Sequence, residues 1–215
     1  MEAAYRDDSG FSLVELVAVC ALLAVTLAAA WTLMNAVSMM SNRMSARATA
    51  TDESQTFVDK VENELLQAGN LKSFAGTSTA NADAQAAFYD IQPREIGFYA
   101  DLNHDGKPER VAYYPSGPGL VRQQATAANT TYPYSWAASS TAQVVVQKID
   151  PSWAGPVFTY YGSGNWPPTQ IADPSQVASI TVVTIEMRNM ATWADQTISY
   201  DASSTVRVRA IGNGF

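Results

Sequence analysis

The chain has 215 residues, of which 47% are hydrophobic and 15% charged, and its formal net charge is −7. An acidic chain without a basic cluster argues against nucleic acid as a direct partner. A single cysteine, Cys20, excludes an intrachain disulfide and a cysteine-rich metal site.

The first predicted element is an apolar helix near the N-terminus. Residues 16–34 contain no charged residue and no proline, and as a helix they would extend for about 28 Å, close to the thickness of a bilayer core. An ordinary secretory signal has a basic start and a shorter apolar stretch, whereas residues 1–10 here carry Glu2, Asp7 and Asp8 against Arg6 alone. A lipoprotein signal needs a small residue before the cysteine, and Val19 stands there. We therefore predict a membrane-spanning helix, with the lipid bilayer as a partner.

One carboxylate interrupts the apolar segment. Glu15 is the fifth residue of an otherwise apolar segment that begins at Phe11, and a charged side chain within a membrane costs about 2–3 kcal/mol on insertion scales. Cleavage between Gly10 and Phe11 would create an α-amine four residues before Glu15, on the same helix face. That amine could neutralise a carboxylate in its own chain or in a neighbour. The alternative interpretation is a single-pass anchor that carries an isolated glutamate.

Residues 10–15, which read GFSLVE, resemble the GF[ST]LxE signature of type IV prepilins and pseudopilins. The resemblance implies that prepilin peptidase cleaves after Gly10, that Phe11 is N-methylated, and that Glu15 pairs with a neighbouring subunit's N-terminus. It also implies other pilin or pseudopilin subunits and a membrane assembly platform as partners. Leaders in this family are usually basic, and this one is acidic. The distribution of Lys and Arg therefore does not support the expected orientation, which rests on the motif alone.

The pattern divides the chain into four parts: a leader (1–10), a transmembrane or filament-core helix (11–35), the amphipathic half of the same helix (36–69) and a β-rich head domain (70–215). The helix should end near Ala68, because Gly69 and Asn70 form a reasonable stop. Its second half carries apolar residues at spacings of three and four, which predicts a core-facing stripe. These residues are Phe57, Val58, Val61, Leu65 and Ala68.

Residues 75–87 are small and of low complexity, which predicts a flexible connection. Beyond them, period-two patterns predict eight strands joined by turn-forming segments at 115–118 and 162–174. Without crossover helices the sheet should be mainly antiparallel, which gives an α+β fold with a long N-terminal helix packed on a pilin-like β domain. The predicted strands are 95–100, 110–114, 119–123, 143–149, 157–161, 179–188, 197–200 and 205–211.

This order of elements resembles that of J-type minor pseudopilins and W-type minor pilins, in which hairpins follow a long helix. Residues 96–101 with 111–114 are similar to the first of these hairpins, and 182–188 with 205–209 to the C-terminal one. The resemblance implies a minor subunit of a type IV pilus or a type II secretion pseudopilus.

The segment 101–109 is the single candidate for a metal site. Asp101, Asn103, Asp105 and Glu109 occupy loop positions 1, 3, 5 and 9 of an EF-hand-type calcium loop, with glycine at position 6. Ala112 stands at position 12, where a bidentate glutamate is usual. The alternative is an ordinary polar hairpin turn set by Asp-Gly.

We therefore expect a structural subunit and not an enzyme, since no nucleophile has a catalytic constellation around it. The head domain should lie outside the cytoplasm, first anchored in the membrane and then in a pilus or pseudopilus. The alternative function is a surface adhesin or other binding module carried on a pilin anchor. No cofactor is expected other than the calcium ion that residues 101–109 would take.

Overall fold

The computed structural model describes residues 12–71, 74, 86–162, 169–193 and 196–208. The predicted processing residues Gly10 and Phe11 lie outside these described residues. The chain divides into two compact units, residues 1–45 and 46–215.

Helix α1 comprises Leu13–Leu66, 54 residues in all, which confirms the predicted long N-terminal helix. Among the described residues it is the one helix that is long and apolar enough to cross a membrane. In the first unit its large apolar side chains are exposed. The chain leaves the helix as predicted, because the Gly69 N–H donates to the Tyr99 carbonyl (2.9 Å) and Ala68 bridges to Ala100.

The first sheet contains five antiparallel strands in the order β1-β2-β3-β4-β5. Sequential strands are neighbours; the first three connections are short, whereas residues 127–142 join β4 to β5. The predicted first hairpin is confirmed, since Ile96 pairs with Tyr113 and Ala100 with Glu109. The five strands are β1 (Phe88–Gln92), β2 (Glu95–Ala100), β3 (Glu109–Ser116), β4 (Gly119–Thr126) and β5 (Gln143–Val146).

The second sheet contains four antiparallel strands in the order β7-β6-β8-β9. Its long C-terminal hairpin was also predicted, and β8 pairs with β9 from Val182–Arg207 to Trp193–Gln196. The four strands are β6 (Phe158–Gly162), β7 (Gln170–Ile171), β8 (Ile180–Trp193) and β9 (Gln196–Arg207).

The core of the second unit lies between the helix and the sheets. The predicted stripe is buried throughout, with Val61 and Leu65 fully excluded from solvent. Phe57 contacts the Tyr113 ring edge-on, with 5.9 Å between the ring centroids, a geometry that favours aromatic pairs. These contacts place the apolar face of α1 against the first sheet and confirm the α+β fold.

The strand prediction needs correction in several places. The predicted strand 143–149 ends at Val146 in β5. Residues 197–200 and 205–211 were predicted as two strands, but β9 is continuous from Gln196 to Arg207. Strands β1 and β7 were not predicted, because β1 is short and next to proline and β7 has two residues. Of the predicted flexible connection 75–87, only Ala86 and Ala87 fall within the described residues, and Ala86 is buried.

Candidate functional site

The first candidate site is the N-terminus of α1, where Glu15 sits in the first turn. The Ser12 N–H donates to Glu15 Oε2 at 3.0 Å, and the Glu15 N–H donates to Ser12 Oγ at 3.2 Å. This reciprocal pair is a capping box, which satisfies two otherwise unpaired backbone donors. The Glu15 side chain is exposed, so its carboxylate remains accessible to another chain.

The surface that follows Glu15 along the helix is apolar and uncovered in the single chain. Leu13 is 79% exposed, Leu22 68% and Trp31 66%. The hydroxyls of Thr26 and Thr32 donate to the carbonyls of Leu23 and Ala29, which lowers the cost of placing them in a membrane. Such a surface suits lipid or the apolar helices of other subunits, since water is a poor solvent for it.

The second candidate site is the loop between β2 and β3, where the structure places all four predicted metal-binding residues. Asp101 accepts from the N–H groups of Asp105 (3.1 Å) and Gly106 (3.0 Å). Asn103 Oδ1 accepts from Asp105 (3.0 Å), and Asp105 Oδ1 accepts from Lys107 (2.8 Å). Gly106 has a φ of 79°, which favours glycine at this position. These bonds make the segment an ordered loop in which side-chain oxygens hold the backbone.

Glu109, at the first position of β3, is fully buried beneath this loop. Its Oε2 accepts from the Leu102 N–H at 2.8 Å, whereas Oε1 is buried without a hydrogen-bond partner. Burial raises the pKa of Glu109, the Leu102 hydrogen bond opposes that shift, and the charges of Asp101 and Asp105 add to it. Within the described part of the chain, no three His, Cys, Asp or Glu side chains are grouped so as to hold a metal ion by themselves.

A buried ionic cluster that the sequence analysis missed joins α1 to the first sheet. Arg122 Nε donates to both oxygens of Glu64 at 2.9 and 3.1 Å, and the Tyr113 hydroxyl donates to Glu64 Oε2 at 2.7 Å. The side chains of Arg122 and Glu64 are 9% and 11% exposed. Burial and the Glu64 charge raise the pKa of Tyr113, which keeps its hydroxyl protonated as a donor. The available signal was position, because Glu64 lies three residues after Val61 on the apolar stripe.

A second polar anchor connects α1 to both sheets. Glu53 Oε1 accepts from the Gln147 N–H at 2.5 Å, and its Oε2 accepts from Asn189 on β8 at 2.8 Å. Glu62 Oε2 likewise accepts from the Ser204 hydroxyl on β9 at 2.7 Å. The second half of the helix is therefore fixed to the head domain by hydrogen bonds as well as by its apolar stripe.

Residues 5–31 match the family model for the prokaryotic N-terminal methylation motif. The match spans the predicted cleavage site, Glu15 and most of the apolar run. No curated protein and no solved structure matches the chain.

The long apolar N-terminal helix and the antiparallel sheets form an α+β, pilin-like fold, and the helix is long and apolar enough to cross a membrane. The match is confined to residues 5–31, where the chain is similar to type IV prepilins and pseudopilins.

Proposed function

We propose that this protein is a minor subunit of a type IV pilus or a type II secretion pseudopilus, assembled through its N-terminal helix. The observation that carries the proposal is the methylation motif at residues 5–31 running directly into the exposed apolar part of α1. After cleavage, the chain stays anchored in the cytoplasmic membrane with its head domain outside the cytoplasm. The assembly platform then moves it from the membrane into the filament.

In this proposal the helix makes the apolar contacts between subunits, and Glu15 sets the position of each subunit along the filament axis. Burying the exposed apolar side chains against neighbouring helices replaces their contact with lipid, so helix packing alone specifies little along the filament axis. A charge pair in an apolar bundle fixes position, because an unpaired carboxylate there costs several kcal/mol. The α-amine of Phe11 in a neighbouring subunit is the proposed partner of Glu15.

The capping box adds a detail to this step. Glu15 Oε2 accepts from the Ser12 N–H, and no described residue donates to Oε1. A carboxylate oxygen accepts more than one hydrogen bond. A neighbour's amine can therefore approach Glu15 without breaking the bond that caps the helix.

The test is incorporation of a Glu15→Val variant into filaments in cells that carry the assembly machinery. We expect membrane insertion to be unchanged or improved, since a carboxylate is removed, and filament incorporation to fall at least tenfold. Thr26→Val is the matched control, a polar-to-apolar change farther along the same helix, and should incorporate normally. Normal incorporation of Glu15→Val would count against Glu15 as an assembly contact.

The assignment as a minor subunit rests on the head domain. Two sheets with nine strands among the described residues form an extended β domain behind the helix, which favours an initiating or tip position over the repeating shaft. Quantitative mass spectrometry of purified filaments should find the chain at a few copies per filament. A copy number equal to that of the shaft subunit would make it the bulk pilin.

The alternative function, a surface binding module on a pilin anchor, is favoured by one feature of the head. A groove on the first sheet is lined by aromatic, cationic and amide side chains, including Tyr89, Arg110, Tyr114 and Gln123. Arg110 stacks over the Tyr89 ring at 4.1 Å from its centroid. If the chain is an adhesin, Arg110→Ala should abolish binding of filaments to host or abiotic surfaces while filament number stays constant.

A further inference from the structure

The outer face of the first sheet carries a groove on the side opposite α1. On β3, Val111 and Tyr113 are buried toward the helix, whereas Arg110, Ala112 and Tyr114 alternate with them and line the groove. The groove encloses about 280 Å³, at the lower end of the roughly 300–1,000 Å³ of ligand pockets. It therefore admits a small ligand or one residue of a polymer.

Small residues form the floor of the groove, and large side chains stand at its ends. Gly97 of β2 pairs with Ala112 of β3, and Ala125 of β4 pairs with Arg110. Arg110 and Tyr114 share one face of β3 four residues apart, which separates them by about 13 Å along the strand. Ala112 lies midway between them, and its single methyl group leaves the depression open.

One end of the groove is cationic. The Arg110 guanidinium lies over the Tyr89 ring, 4.1 Å from its centroid, and it also contacts the hydroxyl of the same tyrosine. That hydroxyl donates to the Val111 carbonyl at 2.9 Å, so the ring that supports the cation is itself fixed. No ion pair among the described residues includes Arg110. A guanidinium held in this way suits an anionic group, which it binds through two parallel hydrogen bonds.

The groove also contains two carboxyl groups, away from the cation. Glu95 lies four residues before Tyr99, the strand partner of Arg110, and therefore near the opposite end. Burial raises the pKa of Glu95, and the charge and hydrogen bond of Asp90 add to that shift, so the two carboxyl groups are neighbours. One cation in a groove that also holds two carboxyl groups suits a ligand with a single negative charge better than a phosphate, which carries up to two.

The remaining lining is polar and uncharged. Tyr114, Gln123 and Ser139 line the groove, and the Tyr114 hydroxyl lies 3.4 Å from Gln123 Oε1. Hydroxyl and amide side chains both donate and accept hydrogen bonds, and sugar hydroxyls do the same. The lining therefore matches a ligand that carries several hydroxyl groups.

An extended peptide does not match the groove. Strands β2, β3 and β4 are internal to the sheet, each with a neighbour on both sides. The groove therefore offers no free strand edge to pair with a peptide main chain. Its floor of glycine and alanine also provides no deep apolar pocket for a large side chain.

We propose that this groove binds a saccharide that bears a carboxylate, such as a uronic or sialic acid residue. The carboxylate pairs with Arg110, and the sugar ring lies over Ala112. Hydroxyl groups of the sugar hydrogen bond to Tyr114, Gln123 and Glu95. This inference deepens the alternative function, a binding module on a pilin anchor, and rests on it. The assembly role of the N-terminal helix does not enter.

The experiment is binding of the purified full chain to an array of immobilised oligosaccharides, in micelles of a detergent without a sugar headgroup. The array holds glucuronic, galacturonic, mannuronic and sialic acid oligosaccharides, each beside its neutral methyl ester. We expect binding to the carboxylated members alone, and weaker binding at high salt, because salt screens an exposed ion pair. Absence of binding to every carboxylated member, or equal binding to the esters, would overturn the proposal.

The array measures the head domain without filaments, so its outcome is separate from that of the assembly test. A chain that binds no saccharide on the array can still enter filaments as a subunit. Conversely, normal incorporation of Glu15→Val would leave the saccharide proposal in place.

Two groove variants and one control assign the site. Arg110→Gln removes the cation but keeps a polar side chain, and it should weaken binding of the carboxylated sugar at least about tenfold. Ala112→Leu fills the floor and should abolish binding. Arg207→Gln removes the same charge from an exposed position on β9 and should bind as the unmodified chain does. Near-ultraviolet circular dichroism checks that each variant is folded. Unchanged binding in both groove variants would place the site elsewhere and overturn the assignment.

Discussion

Removing the carboxylate of Glu64 should be among the most destabilising single changes in the head domain. Glu64→Ala deletes both hydrogen bonds from Arg122 Nε and the one from the Tyr113 hydroxyl. The guanidinium keeps the Gln124 amide oxygen at 3.0 Å and its contact with the Tyr113 hydroxyl, but it loses the carboxylate that balances its charge. Breaking one side of a buried ion pair costs about 3–5 kcal/mol, a large fraction of the roughly 5–15 kcal/mol that stabilises a typical domain.

The loss corresponds to a Tm decrease of about 6–20 °C for a domain of this size, measured by near-ultraviolet circular dichroism of the full chain in micelles. Glu62→Ala is the matched control on the same helix, since it removes one hydrogen bond, to Ser204, and should cost about 1 kcal/mol. A triple variant, Glu64→Leu, Tyr113→Phe and Arg122→Met, should recover most of the lost stability, because it leaves no buried charge unpaired. A cost below about 1 kcal/mol for Glu64→Ala would refute the argument that this pair is desolvated.

Two further predictions concern the sheets and pH. Gly119→Ala should destabilise the head by about 1–3 kcal/mol in the same melting assay. The new Cβ would lie 2.0 Å from the Val146 carbonyl oxygen and would push β4 away from β5. An unchanged Tm would contradict this packing. Hydrogen bonds from Ser152 and Ser199 lower the pKa of Asp150, so its stabilising contribution is present above pH about 4 and is lost as pH falls through the lower folded value. Asp150→Asn should therefore destabilise the chain at pH 7, and the variant should lose less stability than the unmodified chain on acidification to pH 2. If stability falls with pH equally in both proteins, Asp150 does not contribute in this way.

The elements that the sequence predicted best are those with strong local patterns. The alternation of Ile96, Phe98 and Ala100 fixed β2 at its observed bounds, since all three face the core. Strand β9 was divided in two because Asp201 and the serines after it lack β propensity. In the structure, pairing with β8 keeps this polar stretch in the strand, and Arg188 on β8 forms an ion pair with Asp201 on β9.

The functional residues also divide into those that a local sequence pattern identifies and those that it does not. Glu15 was identified because a charge in an apolar run is a local anomaly. Its capping box with Ser12 also follows from local spacing, although the sequence analysis did not consider it. The partners of Glu53 and Glu64 depend on long-range packing, which no local pattern specifies. Asn189, for example, lies 136 residues from Glu53 along the chain.

The measurement that tests the central claim most directly is the mass of the N-terminal peptide from the assembled filament. Cleavage by prepilin peptidase predicts a mature chain that begins at Phe11, increased by one methyl group on its α-amine, and a Gly10→Val variant that keeps its leader and stays out of filaments. An N-terminal peptide that still begins at Met1 in filament-incorporated protein would contradict the account.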